Sequence, residues 1–155
     1  MHSGYSFRTR AILKAQIARG WDVAGVTGAR HTADGPDVEA VDGLTFYRTL
    51  APETMTTPIR EWREIALLAD RVDEVVAEWK PDQLHVHSPV LNALAALRVA
   101  RRRKLPLIYE IRAFWEDAAV GNGTGTRNSA RYWLTRMFET HAAHQADAVA
   151  VICEG

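Results

Sequence analysis

Three short segments of this sequence combine residue types that could bind a ligand. The first carries Gly4 directly before a helical pattern. The second carries the pair His85 and His87, and the third carries Glu110 and Arg112. Ligands of open α/β sheets bind beyond the carboxyl ends of the strands. We therefore predict that Gly4, His87 and Arg112 converge at one rim of such a sheet.

The two histidines lie two residues apart on a predicted strand, so both side chains point to the same face. A metal site is not favoured, because catalytic zinc takes three protein ligands and the sequence indicates no third one. We expect neither a metal nor a cofactor. A role as an ordinary core histidine, with its hydrogen bonds satisfied, stays open for His85 and for His87.

Glu110 and Arg112 also share one strand face, because alternate residues line one side of a strand. A carboxylate and a guanidinium so placed can form an ion pair. Two interpretations follow. The pair is either structural, or Arg112 lines a ligand-binding cleft.

The composition limits the class of protein. The chain has 155 residues, of which 47% are hydrophobic and 25% charged, as in a soluble globular domain. Lys plus Arg and Asp plus Glu number 19 each, so the basic excess of a nucleic-acid binder is missing. The single cysteine rules out an internal disulfide, and no apolar run approaches the roughly 18 residues that cross a bilayer. We expect a cytoplasmic protein without a nucleic-acid partner.

Helical and strand patterns alternate along the chain, which is typical of an α/β fold with a doubly wound parallel sheet. The strands are predicted from short apolar runs and the helices from amphipathic periodicity. The segment 29–42 is predicted as a loop or a small hairpin. The predicted helices span 6–19, 58–79, 90–103 and 127–145, and the predicted strands span 22–28, 43–48, 84–88, 106–112 and 147–153.

The beginning of the chain departs from that fold. A doubly wound domain starts with a strand that feeds the first helix through a tight turn, but only three residues precede Gly4. The first strand is therefore predicted to be missing. Such a strand buries about three or four large apolar side chains, each worth about 1.5–3 kcal/mol. We expect the chain alone to be marginally stable, or to rearrange or self-associate.

Two further segments carry less specific signals. Residues 121–126 are rich in glycine but lack the lysine and the preceding strand of a phosphate-binding loop, so a mobile surface loop is predicted. The basic cluster of Arg98 and residues 101–104 suits the negative end of a helix dipole. Contact with an anionic membrane surface is the alternative.

Several motifs resemble those of family 4 glycosyltransferases, which have the GT-B fold. Residues 3–4 (SG) before a helix, and then 19–23 (RGWDV), resemble the opening of that family. Residues 80–87 (KPDQLHVH) resemble its "KPDVVHVH" strand, and 109–116 (YEIRAFWE) resemble its "YEVRGLWE" strand end. The start at 2–10 is similar to the subgroup associated with exosortase and exopolysaccharide loci.

The resemblance implies that residues 1–155 are the N-terminal, acceptor-side Rossmann-like domain of a bacterial glycosyltransferase, with the C-terminal donor domain absent. The implied activity is retaining transfer of a sugar from a nucleotide-sugar to a saccharide or lipid-linked acceptor. The implied pathway is exopolysaccharide or cell-envelope biosynthesis. The resemblance also implies that no metal is needed. We expect the chain alone to be inactive, with peripheral contact to the inner face of the membrane as a further expectation.

The resemblance also assigns roles to individual residues. His87 takes the catalytic position, as a hydrogen-bonding group at the sugar site rather than a nucleophile. Gly4 would let the donor diphosphate approach a helix N-terminus. The remaining predicted substrate-binding residues are Tyr5, Arg8, Glu110, Arg112, Trp115 and Glu116.

Two other functions stay open. The same fold would suit one half of a sugar-nucleotide epimerase, or a non-enzymatic module that binds a saccharide or a partner domain. A nicotinamide-dependent enzyme is disfavoured, because no G-x-G-x-x-G pattern follows a predicted strand.

Overall fold

A computed structural model describes residues 4–28, 30, 36–50 and 59–152. It confirms the α/β class, since helices alternate with strands that pair mostly in parallel. The chain divides into two compact units, Met1–Ala51 and Pro52–Gly155. Each unit has its own three-stranded sheet, a division that the sequence patterns did not predict. Among the described helices, none combines the length and the apolar character needed to cross a bilayer.

The first unit contains helix α1 (Gly4–Ile17) and strands β1 (Ala24–Val26), β2 (Val38–Val41) and β3 (Leu44–Tyr47). Residues 1–3, where a first strand would have to lie, are outside the described residues. The strand order is β1-β3-β2, and β3 is parallel to β1 and antiparallel to β2. Leu44 and Tyr47 are buried. The sheet is therefore a mixed one, centred on β3.

β2 and β3 form a hairpin through the turn Asp42-Gly43. Both turn residues have positive φ, 54° and 79°. Two-residue hairpin turns of type I′ require positive φ at both positions, and Asp-Gly is among the pairs they favour. The segment 29–42, predicted as a loop or a small hairpin, thus contributes a hairpin strand at 38–41.

The second unit is built on an all-parallel sheet with the order β4-β5-β6. The central strand, β5, is also the most buried of the three. The described part of this unit contains four helices. Its elements are α2 (Ile59–Trp79), β4 (Leu84–His87), α3 (Val90–Arg103), β5 (Leu107–Ile111), α4 (Trp115–Gly121), α5 (Ala130–Gln145) and β6 (Ala148–Val151).

Small residues allow α3 and α5 to lie close to this sheet. Ala93 on α3 and Ala142 on α5 are fully buried, in one core cluster with Leu107 and Tyr109 of β5. Residues alternate between the two faces of a strand. Because Leu107 and Tyr109 fill the face toward the helices, Glu110 projects from the opposite face.

The basic cluster at the end of α3 ties this helix to its neighbours. Arg103 donates from Nε and Nη2 to both carboxylate oxygens of Asp73 on α2, each at 2.8 Å. Arg102 lies 3.5 Å from the same carboxylate, and Arg101 donates to Gln145 on α5. These contacts favour the structural interpretation of the cluster over membrane contact.

The glycine-rich segment 121–126 closes helix α4, an element that the sequence patterns did not predict. The backbone N–H groups of residues 122–125 donate to the carbonyl oxygens of residues 118–120. Gly123 has a φ of 71°, in the left-handed region that glycine adopts readily at helix C-termini. The segment is therefore a helix-capping turn, and its backbone N–H groups are not available to cradle a phosphate.

The hairpin turn generates a stability prediction. We expect Gly43→Ala to lower the free energy of unfolding by about 1–2 kcal/mol, because an L residue in the left-handed region costs about that much. Gly121→Ala is the matched control, since Gly121 lies at the end of α4 with open space around it. Urea denaturation should show no loss for the control, and equal losses in both variants would contradict the turn assignment.

Candidate active site

The pairing of β4 with β5 brings four polar residues to one face of the sheet. β4 presents His85 and His87 on the same side, and the parallel register places His87 opposite Glu110. Arg112 follows directly after β5. These four residues, here named the Glu110 cluster, lie at the carboxyl ends of two neighbouring parallel strands.

Glu110 and Arg112 form a buried ion pair. Arg112 Nε donates to Glu110 Oε1 at 2.9 Å, and each residue is only 5% exposed. The ion pair predicted from the alternation of the strand is thus present. Because both charges are largely removed from water, breaking such a pair by removing one partner typically costs about 3–5 kcal/mol.

The other carboxylate oxygen of Glu110 faces the two imidazoles. Glu110 Oε2 lies 3.2 Å from His85 Nε2 and 3.6 Å from His87 Nε2. The two rings stand edge to face, with their centroids 4.7 Å apart. Burial lowers the pKa of His85 below its ordinary value of 6.5, although the Glu110 charge acts in the opposite direction. This shift favours the neutral form of the His85 imidazole.

Two further side chains fix the strand ends that carry the cluster. The Ser88 backbone N–H donates to the Glu110 carbonyl at 3.0 Å, and Ser88 Oγ accepts a hydrogen bond from the Arg112 backbone N–H at 3.0 Å. Asn92 Nδ2 donates to the His87 carbonyl at 3.3 Å. The cluster is thus carried on braced strand ends, which position side chains more accurately than loops do.

Residues 3–155 match the family model described as a glycosyl transferase 4-like domain. The chain belongs to this glycosyl transferase 4-like family. A region of 103 residues is 36% identical to a UDP-N-acetylglucosamine--N-acetylmuramyl-(pentapeptide) pyrophosphoryl-undecaprenol N-acetylglucosamine transferase of Maricaulis maris (strain MCS10). The match covers 61% of this chain and 27% of that relative, so the chain aligns with about a quarter of the relative's length. The resemblance to glycosyltransferases is confirmed at the level of the family.

A second buried polar group lies on the opposite face of β5 in this glycosyl transferase 4-like domain. The Tyr109 hydroxyl donates to Glu139 Oε2 at 2.5 Å, and the two residues are 0% and 2% exposed. Burial raises the pKa of the Glu139 carboxyl; the Tyr109 hydrogen bond acts against this shift, and the charge of Glu116 adds to it. Burial also raises the pKa of Tyr109, so its hydroxyl stays a donor.

Glu116, one of the predicted substrate-binding residues, is associated with this second group. It is 7% exposed on α4, and its charge acts on Glu139 and on Tyr109. Over the described residues, no hydrogen bond or ion pair connects Glu116 with Glu110 or Arg112. The structure therefore brings His87, Glu110 and Arg112 together, while Glu116 belongs to the helix side of the sheet.

The other predicted site residues are described only in part. The side chains of Tyr5 and Trp115 and the surroundings of Gly4 lie outside the described residues; along the backbone, Gly4 begins α1 and Trp115 begins α4. Arg8 is exposed on α1, in the first unit. The convergence of Gly4 with the Glu110 cluster would join the two units, and it stays a prediction.

The position of Glu110 beside the histidines was not predicted from the sequence. A metal was not favoured for want of a third ligand; Glu110 Oε2 and the two imidazoles offer ligand atoms within 4.8 Å of one another. The signal was available in two adjacent strands that both carry polar residues at alternate positions near their carboxyl ends. For Glu139 there was no signal beyond an acidic residue within a helical segment.

The raised pKa of Glu139 generates a pH prediction. Between the ordinary pKa of 4.5 and the raised one, the folded chain keeps a proton that the unfolded chain has lost. The stability contributed by protonated Glu139 is therefore lost as the pH rises through this window. We expect Glu139→Gln to raise the melting temperature by about 2–4 °C at pH 7, the size of an effect near 1 kcal/mol.

The measurement is thermal melting of both proteins from pH 4 to pH 8. The difference in melting temperature between the Glu139→Gln variant and the wild type should widen as the pH rises and then level off. Glu74→Gln is the control, because Glu74 is an exposed carboxylate on α2, 65% accessible. A difference in melting temperature that does not change with pH, or one that Glu74→Gln also shows, would contradict the raised pKa of Glu139.

Proposed function

We propose that this chain is the acceptor-side domain of a retaining, nucleotide-sugar-dependent glycosyltransferase. The observation that carries the proposal is the Glu110 cluster, which a glycosyl transferase 4-like domain holds at the carboxyl ends of two parallel strands. Ligands of open α/β sheets bind at such strand ends. Both histidine side chains are partly exposed there, while the Glu110–Arg112 pair behind them is buried.

In the proposed reaction, the bond between the anomeric carbon of the donor sugar and the diphosphate oxygen breaks. A bond from that carbon to the acceptor oxygen forms on the same face of the sugar. The diphosphate leaves with the bonding electrons and takes up the acceptor proton. Groups that stabilise the negative charge of the leaving diphosphate supply much of the rate. The N-terminus of α1, at Gly4, is our candidate for one of these groups.

His87 is the residue proposed to contact the reacting sugar. It is the last residue of β4, and its side chain is 19% exposed although its Nε2 atom is buried. A neutral imidazole has one donor and one acceptor nitrogen, which suits sugar hydroxyls. We assign His87 to hydrogen bonding and orientation, without a covalent intermediate.

Arg112 is proposed to position the site rather than to touch the acceptor. Its side chain is only 3% exposed, and its Nε binds the Glu110 carboxylate. A guanidinium so buried orients its carboxylate through a fixed, directional hydrogen bond. Direct contact with the acceptor is then assigned to Trp115.

An open pocket beside α4 and α5 has the chemistry for a saccharide acceptor. Its volume of about 420 Å³ lies within the usual range for ligand pockets. Trp133, which is 60% exposed, offers an apolar surface, and Arg127 and Arg136 offer positive charge. Asp117 also lines the pocket, so its charge is mixed, and an aromatic face with polar groups around it suits a saccharide.

The relative from Maricaulis maris is named for transfer of N-acetylglucosamine to a pyrophosphoryl-undecaprenol acceptor. That name supports a lipid-linked acceptor for this chain as well. We place the reaction in bacterial exopolysaccharide or cell-envelope synthesis, in the exosortase-associated subgroup, at the inner face of the membrane. The donor-holding groups are assigned to polypeptide outside these 155 residues, so the chain alone is proposed to be inactive.

The proposed role of His87 is tested by binding and by turnover. The probe is a water-soluble, short-chain polyprenyl-pyrophosphoryl saccharide, titrated into the 155-residue chain by isothermal calorimetry. We expect binding that His87→Ala weakens about tenfold, the size of one good hydrogen bond. No product should form when UDP-N-acetylglucosamine is added to the chain and the probe.

His144→Ala is the matched control, because His144 is an exposed histidine in the last turn of α5. Its affinity for the probe should equal that of the wild type. Equal affinity in the His87→Ala variant, absence of binding to the wild-type chain, or sugar transfer by the chain alone would each overturn the assignment.

A further inference from the structure

We propose that the pocket between α4 and α5 binds a neutral sugar unit of the acceptor by stacking it on Trp133. This unit is distinct from the one whose hydroxyl reacts at His87, so the acceptor is an oligosaccharide. The inference rests on the proposed function for the role of the ligand as an acceptor, while binding itself is measured without turnover. It also places the reaction in a sequence, because an earlier sugar transfer must supply the saccharide that is extended here.

The fold places this pocket at the same edge of the sheet as the Glu110 cluster. α5 ends at Gln145, just before β6 begins at the opposite edge, so the first turns of α5 lie toward the carboxyl ends of the parallel strands. The pocket is lined by residues of these first turns, by the segment before them and by Asp117 in the first turn of α4. A saccharide held at His87 therefore has the pocket at its own edge of the sheet, where ligands of α/β domains bind.

Trp133 gives the pocket an exposed aromatic surface. The core face of α5 is marked by the buried residues Tyr132, Glu139 and Ala142, and Trp133 lies away from it, 60% exposed. Its ring stands edge to face with that of Tyr132, with the centroids 5.8 Å apart. This contact holds the indole in place while most of its surface stays in water. The C–H groups on one face of a pyranose ring are apolar, so stacking them on the indole removes apolar surface of both from water.

A hydrogen-bonded pair beside the tryptophan can bind sugar hydroxyls. The Tyr132 hydroxyl donates to Asp117 Oδ1 at 2.9 Å, and Arg136 Nη1 donates to the same hydroxyl at 3.4 Å. Tyr132 is only 7% exposed, so it holds the exposed Asp117 carboxylate from the protein side. An ionised carboxylate has two acceptor oxygens, so Oδ2 can accept a hydrogen bond from a sugar hydroxyl.

The remaining lining residues favour a neutral ligand. Arg127 and Arg136 are donors only, Asn128 is both a donor and an acceptor, and Asp117 is an acceptor that repels an anion beside it. Hydroxyl and acetamido groups of a sugar both donate and accept, so they match this mixture. The volume of about 420 Å³ is near the lower end of the range for ligand pockets, which suits one or two sugar rings.

The test titrates neutral trisaccharides into the ¹⁵N-labelled 155-residue chain and follows the indole N–H resonances by NMR. The probes are triacetylchitotriose, cellotriose and maltotriose, each at up to about 10 mM, where millimolar affinities are measurable. We expect at least one of them to shift the Trp133 indole resonance in a saturable manner. Trp133→Ala should weaken the binding of that trisaccharide about tenfold, because the stacking surface is lost. Inorganic pyrophosphate, an anionic probe without a sugar, should leave the Trp133 resonance unchanged.

Trp62→Ala is the matched control, because Trp62 is a tryptophan of α2 that is 56% exposed and does not line the pocket. Its affinity for the trisaccharide should equal that of the wild type. Trisaccharide binding that Trp133→Ala weakens and His87→Ala leaves unchanged would support the pocket while contradicting the proposed role of His87. No shift of the Trp133 resonance with any of the three trisaccharides, equal affinity in the Trp133→Ala variant, or a Trp133 shift caused by pyrophosphate would overturn the inference.

Discussion

The burial of the Glu110 carboxylate is the constraint on which the site depends. A charged carboxylate that is only 5% exposed loses most of its hydration, so it needs compensation from close by. Arg112 supplies the opposite charge at 2.9 Å, and the imidazoles of His85 and His87 occupy the other side. All three side chains thus converge on the same carboxylate.

The parallel sheet makes that arrangement available. β5 keeps one face apolar, where Leu107 and Tyr109 pack with the alanines of α3 and α5. The opposite face is then free for polar groups, and the register with β4 sets His87 beside Glu110. Even the helix-facing side carries one polar pair, Tyr109 with Glu139, which a hydrogen bond satisfies. The same strand thus stabilises the second unit and presents the candidate site.

Much of this could be predicted from the sequence, because alternation and helical periodicity are local properties. They predicted the helices at 90–103 and 127–145, the strands on either side, and the shared faces of the two histidines and of Glu110 with Arg112. Helix α4 was missed, since its seven residues are too few for a periodic pattern. The contact between Glu110 and the histidines was missed because it depends on the register between two strands, which only tertiary packing sets.

The most direct test of the central claim is a double-mutant cycle on Glu110→Gln and Arg112→Gln, with the free energy of unfolding measured by urea denaturation. If the buried carboxylate organises the cluster, the two substitutions should be coupled by about 1–3 kcal/mol, the range found for residues in contact. Losses that add to within about 0.3 kcal/mol would mean that the two groups act independently, and would contradict the account.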